Sequence, residues 1–283
     1  MLVAFVMVAV ALGVPALMLA QGTTVEAGQL LYLVRRPGLL ARSVFAAVVA
    51  APCFVLLIGW LLRPEPAALV GLAVLAASPV APVMLVNVRR ATGGAEFVAS
   101  LHLTLAILSI ATTPLVLALL SRSLGFEATA RPLAVAGQVG RALVLPFLLG
   151  VAARTWTPSF ANRARRPLAA LAATVLLLAV LALLVRPETW HVLGAMRPRS
   201  YLAMGALLLA CLAVGEALGG ASSERRAALA LEAAARNPGL ALLIGSQNFD
   251  PHRALAVLLP YVLLTVALIS LYVGWRARRL ATA

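Results

Sequence analysis

The chain has 283 residues, of which 63% are hydrophobic and only 11% charged, and it carries a net charge of +14 with a mean hydropathy of +1.02. An ordinary soluble domain is about a quarter charged, so this composition excludes one and points to a single integral membrane domain over residues 1–283. All 23 basic residues are arginine, spread through the short gaps between apolar stretches. That distribution argues for membrane lipid as the surrounding partner and against nucleic acid.

In chain order, nine segments have the ~20-residue apolar length that a bilayer core requires: about 2–20, 39–62, 66–88, 96–120, 132–153, 167–185, 200–219, 226–246 and 254–275. The breaks carry turn chemistry, as in Arg36-Pro37-Gly38, Arg63-Pro64-Glu65-Pro66, Thr92-Gly93-Gly94, Arg166-Pro167 and Arg186-Pro187. The first segment lacks the positive leader of a signal peptide and is read as a span. Cys53 and Cys211 stand in apolar stretches without metal-ligand spacing and read as small buried hydrophobes. Alternate loops hold twice as many arginines as the others, which places the N-terminus outside and the C-terminus in the cytoplasm of a multi-pass cell-membrane protein.

Two spans are interrupted. The third contains Ser78-Pro79-Val80-Ala81-Pro82, and the eighth contains Asn237-Pro238-Gly239. Proline removes a helix donor and clashes with the preceding turn. Asn237 suits the N-cap of a new half-helix, with Pro238 at its first position. The eighth span also holds Glu232 and Arg236. Charge at that depth is tolerated only against protein or a wet cavity. Paired breaks, each next to last in its half, suggest an inverted repeat of about 1–125 and 130–283, with the two discontinuous helices crossing at a substrate site. Pro52, Pro114 and Pro146 read as simple kinks.

On these residues the chain resembles the bile acid:sodium symporter family. Glu232-Ala233-Ala234-Ala235-Arg236-Asn237-Pro238-Gly239-Leu240-Ala241 is similar to that family's Glu-x-Gly-x-Gln-Asn-Ser-Gly-Leu-Ala run. Ser78-Pro79-Val80-Ala81-Pro82-Val83-Met84-Leu85 stands where the family has Cys-Pro-Gly-Gly-Thr-Ala-Ser-Asn, and Arg36-Pro37-Gly38 and Pro52 also fit. The resemblance implies an all-α polytopic fold with a core domain around two crossed broken helices and a panel domain moving against it in alternating access. It also implies two sodium sites built from oxygen ligands. Glu232 is retained, but the family's glutamine four residues later is Arg236 here. The glutamine before the second-span proline is Ala47, and the serine-asparagine pair of the first break is Met84-Leu85. The hydroxyl ligands of the next helix fall near Val98 and His102 in one register, or near Ser100 and Thr104 in another. Sodium is therefore not favoured as the coupling ion, and a proton on Glu232 or His102 is the alternative. No other cofactor is implied.

The candidate substrate- or ion-binding residues are thus Glu232, Arg236, Asn237, Pro238, His102, Ser100, Thr104, Pro79 and Pro82. Arg236 can be read as a guanidinium facing a cavity, replacing sodium's charge and holding an anion, or as a structural i, i+4 partner of Glu232. His102 can be a satisfied core histidine or a proton relay. The expectation is a secondary transporter of a small organic anion. A non-transporting receptor or scaffold of the same fold is the alternative, and an arsenite-type efflux carrier is weaker because serine, not cysteine, stands at the first break. No HExxH, Gly-x-Gly-Asp or paired-aspartate signature suggests an enzyme.

Overall fold

The computed structural model describes residues 2–80, 95–126, 131–248 and 251–281, and among these every regular element is helical. The helices are α1 (Leu2–Gly22), α2 (Pro37–Leu62), α3 (Pro66–Ala76), α4 (Ala95–Leu124), α5 (Pro132–Trp156), α6 (Pro158–Leu184), α7 (Pro187–Ala195), α8 (Pro198–Leu218), α9 (Ser223–Ala234), α10 (Pro238–Asn248) and α11 (Pro251–Ala281). Among the described residues, eight stretches are long and apolar enough to cross a membrane, with α9 and α10 together forming one of them. The protein is an all-α polytopic membrane protein.

The expected third span is described only as the short apolar α3, followed by a turn at Ala77 and an irregular stretch from Ser78 to Val80. Its continuation, with Pro82, Met84 and Leu85, lies outside the described residues, as does the Thr92-Gly93-Gly94 break. The sixth span differs from expectation. Pro158 starts α6 at its first position, and the helix runs through Pro167 without a break. A proline inside a membrane helix is tolerated where its freed carbonyl finds another partner, and Pro167 sits near the arginine-rich end of α6 rather than in its apolar middle. Cys211 is buried as expected, whereas Cys53 is exposed on the outer face of α2. A thiol is small and apolar enough to face lipid as readily as core.

α1 packs on α5 and α6, and α8 packs on α9. The closest approaches need residues without side chains. A Cβ on Gly22 of α1 would lie 2.1 Å from the Phe147 carbonyl of α5, the small-residue contact that membrane helices use in place of a hydrophobic driving force. α8 is tied at both ends. At its start, Ser200 Oγ donates to Glu65 at 3.0 Å, and the Arg197 backbone N–H donates to the same carboxylate at 3.1 Å. Towards its end, Glu216 accepts from Tyr272 and Arg276 of α11, and Arg226 lies 3.8 Å from its other oxygen. Glu216 is therefore the hub of a polar cluster joining α8, α9 and α11. These ties hold α8 and α11 around α9, which carries the site.

Candidate functional site

The eighth span breaks as its residues dictate. α9 ends at Ala234, and Ala235 turns extended at φ −74, ψ 102. The Asn237 side chain then accepts from the Leu240 backbone N–H at 2.9 Å, capping α10 with Pro238 at its first helical position. The first break lies against the second: the Asn237 backbone N–H donates to the Ser78 carbonyl at 2.9 Å. Beside Ser78, Pro79 is buried, and Val80 is held at φ 69. A β-branched residue rarely adopts that left-handed conformation, and such strain collects at functional sites. Gly239 is required by proximity to α1, since a Cβ there would lie 2.5 Å from Val14 Cγ2.

Arg236 and Glu232 are both buried, at 2% and 1% exposure, yet they do not form the i, i+4 pair. That proximity needs a continuous helical turn, and the chain leaves the helix between them. Arg236 instead donates to the Ala47 carbonyl at 2.7 Å and to the Ala233 carbonyl at 2.5 Å, with Cys211 Sγ 3.8 Å from the same guanidinium. Ala233 belongs to the last turn of α9, so the guanidinium sits at the negative end of a half-helix, where a cation is stabilised. Glu232 turns the other way. Its Oε1 lies 3.4 Å from His102 Nδ1, and the His102 ring packs 5.7 Å from the Phe147 ring.

Of the two registers considered for α4, the one with His102 reaches the acid. Ser100 Oγ accepts from the Leu33 backbone N–H at 3.0 Å, and Thr104 Oγ1 donates to the Ser100 carbonyl at 2.7 Å. His102 and Glu232 therefore form one buried pair, Arg236 and Ala47 another, and the backbone hydrogen bond between Asn237 and Ser78 joins the breaks. Four buried polar atoms here lack a hydrogen-bond partner: His102 Nε2, Glu232 Oε2, Arg236 Nε and Asn237 Nδ2. Buried polar atoms are nearly always satisfied, so these four stand out as spare hydrogen-bonding capacity in the two pairs and at the cap.

Sequence reasoning missed what Pro52 does. A π-turn spans Phe45–Val49 in α2, and such turns concentrate at functional sites. In i, i+5 geometry, the partner of the Ala47 carbonyl would be the N–H of residue 52, and proline has none. That carbonyl accepts from Arg236. Tyr261 was also passed over; its hydroxyl donates to the Ala234 carbonyl at 3.3 Å and satisfies another end of the broken helix. The available signal was a proline five residues beyond the position that faces Arg236, and a tyrosine in the apolar middle of the last span.

Polytopic helices, a broken buried span and charge held at half-helix ends define the class: a membrane solute carrier rather than a channel lined by continuous helices. The sequence model of the sodium bile acid symporter family matches residues 11–192, roughly two thirds of the chain. The chain belongs to that family, whose members are transporters and not enzymes. The matched stretch ends before α9, so the break with Arg236 lies beyond it. No curated protein matches the chain.

Proposed function

We propose that the protein is a secondary transporter of a small organic anion, working by alternating access in a cell membrane without coupling to sodium. The observation that carries this reading is the Arg236 guanidinium seated between the Ala47 and Ala233 carbonyls. In broken-helix carriers, unwound carbonyls and half-helix C-termini coordinate the driving cation. Here a tethered cation has that role, and its charge cannot be removed near neutral pH. The described donors do not suit sodium, because Ala47 offers no side-chain oxygen and Arg236 is itself a cation. Arg236 balances charge in every state of the cycle, and its unpartnered Nε leaves it a donor for a bound carboxylate or sulfonate.

A proton is the second reading for coupling, favoured by the buried contact of His102 with Glu232. An imidazole and a carboxylate in contact can pass a proton between them, and both partners retain one unsatisfied atom. The cytoplasmic side is assigned to the C-terminus by arginine asymmetry, and a reporter fused after Ala283 tests it by whether it behaves as cytoplasmic.

Purified protein is screened by thermal shift against carboxylates and sulfonates, cholate among them, in sodium and in potassium buffer. Hits are then assayed for uptake into proteoliposomes. Anions that raise the melting temperature equally in both buffers, and that are taken up without sodium, support the reading. A saturable sodium requirement overturns the coupling assignment. Binding without uptake under any ion gradient makes the protein a receptor of the same fold.

A further inference from the structure

A cavity of about 500 Å³ opens between the start of α2 and the turn joining α8 to α9. Arg36, Gly38 and Arg42 line it from one side, and Gly220 and Arg225 from the other, with no acidic residue in the lining. Three guanidinium groups around one space repel each other, and charge alone would not gather them. Among the described residues none of the three is in an ion pair, although Arg226 and Arg276 nearby both reach Glu216. Glu216 is thus already engaged, and Glu224 is exposed outside the lining.

The arginines are held in place rather than loose. Arg36 lies 3.9 Å above the Tyr32 ring and donates to the Tyr32 carbonyl at 3.3 Å. Arg225 donates to the hydroxyl of the same tyrosine at 3.5 Å, so Tyr32 bridges two of the three. Arg42 donates to the Gly38 carbonyl at 3.1 Å. Each arginine spends only part of its donor set on the protein, and Arg225 Nε is buried with no partner at all. The amino end of α2, which begins at Pro37, adds its positive dipole end. Gly38 leaves open the space where a side chain would stand, so a ligand can approach the backbone.

We infer that this cavity binds a phosphate group, and that its source is the headgroup of an anionic phospholipid. Guanidinium forks match phosphate oxygens in pairs. The source follows from what lies beyond the cavity. From Arg42, the exposed residues Phe45, Val49, Cys53, Leu57 and Trp60 succeed one another every three or four positions along α2. They form an apolar strip running away from the arginines, as an acyl chain would need. The cavity also lies on the arginine-rich side, the expected cytoplasmic face, where anionic lipids and basic pockets meet. This inference does not depend on which solute is carried or on the coupling ion.

The test uses the full chain in neutral detergent, titrated with phosphatidylglycerol, with phosphatidylcholine and with inorganic phosphate, and read by melting temperature and by native mass spectrometry of retained lipid. Arg36→Gln, Arg42→Gln, Arg225→Gln and the triple variant are compared with Arg163→Gln, an exposed arginine on α6. Phosphatidylglycerol should stabilise the wild type more than phosphatidylcholine does. Each single variant should weaken that binding about fivefold, the contribution of one basic residue near a membrane surface, with Arg163→Gln unchanged. If the triple variant does not fold, the three single variants carry the comparison. A shift with inorganic phosphate that needs the same arginines, without any preference for phosphatidylglycerol, keeps the phosphate site but overturns the lipid assignment. Equal binding by wild type and all three single variants overturns the site.

Discussion

The span formed by α9 and α10 and the span formed by α6 obey opposite rules. Ser223–Ser246 has a hydropathy of 1.3 and is 89% buried, whereas Pro158–Leu184 has a hydropathy of 2.6 and is 11% buried. In water the more apolar helix would be the buried one. In a bilayer the lipid is as apolar as leucine, so hydrophobicity gives no reason to leave it. Backbone and side-chain polar groups, by contrast, must find protein partners or a wet cavity. Polarity thus drives burial here, and the least apolar span is the one that carries the site.

The sharpest way to break this comparison is Arg236→Leu. The substitution makes the buried span more apolar, yet it strips the Ala47 and Ala233 carbonyls of their donor. Two hydrogen bonds to a charged group, at ~1.5–3 kcal/mol each, predict a stability loss of about 3 kcal/mol or more. It should appear as a large fall in melting temperature in detergent, together with loss of anion binding. Arg236→Lys should keep part of the stability, because an ammonium keeps the charge but not the fork that reaches two carbonyls. A variant with leucine that is as stable as the wild type would show that the guanidinium is not holding the break.

Next in size is the pair of His102 and Glu232. His102→Phe leaves a buried carboxylate without its neighbour and should cost about 2 kcal/mol. Glu232→Gln in the same background should recover part of that loss, since the unpaired charge is gone. The four proteins of the cycle should show a coupling between about 0.5 and 3 kcal/mol. Strictly additive losses would mean that the 3.4 Å contact carries no energy and that the proton reading has lost its physical basis.

Much of this was legible in the chain. Broken spans, a cap at Asn237 and charge at mid-span are local features, and local chemistry reports itself in sequence. Glu232 and Arg236 stood out as candidates for that reason, and their partners did not. Ala47 acts through a carbonyl, which every residue has, and only the π-turn and Pro52 make that carbonyl available. The i, i+4 pairing of Glu232 with Arg236 failed for a related reason: it assumed a helix across the break that the same motif creates. The start of the sixth span was misjudged because a proline near a helix end can sit inside the helix as well as before it. Pro158 and Pro167 cannot be told apart without knowing which one begins the helix.

A smaller effect is expected where α10 meets α1. Gly239→Ala would put a Cβ 2.5 Å from Val14 Cγ2, and overpacking of this kind costs about 1–3 kcal/mol. Val14→Ala should recover most of that loss by clearing the methyl group. If Gly239→Ala is neutral on its own, α1 is not pressed against the break as tightly as the geometry requires.

The smallest effect belongs to α6, and it tests the other half of the comparison. Leu171 and Leu177 are 65% and 57% exposed, facing outward from a helix in whose most apolar stretch only 11% of the residues are buried. If lipid covers that face, Leu177→Ala exchanges one apolar surface for a smaller one against a solvent that fills the gap. No cavity forms, because lipid tails move where a packed side chain could not, and the change in melting temperature should correspond to no more than about 0.5 kcal/mol. The same substitution in a packed core costs about 2–5 kcal/mol, so the two environments are separated by more than the measurement error. Leu171→Ala provides a second reading at another exposed position of the same helix. A core-sized loss at both positions would mean that a protein surface, such as a second copy of the chain, covers α6. The contrast with α9 and α10 would then be one between two kinds of protein contact rather than between protein and lipid.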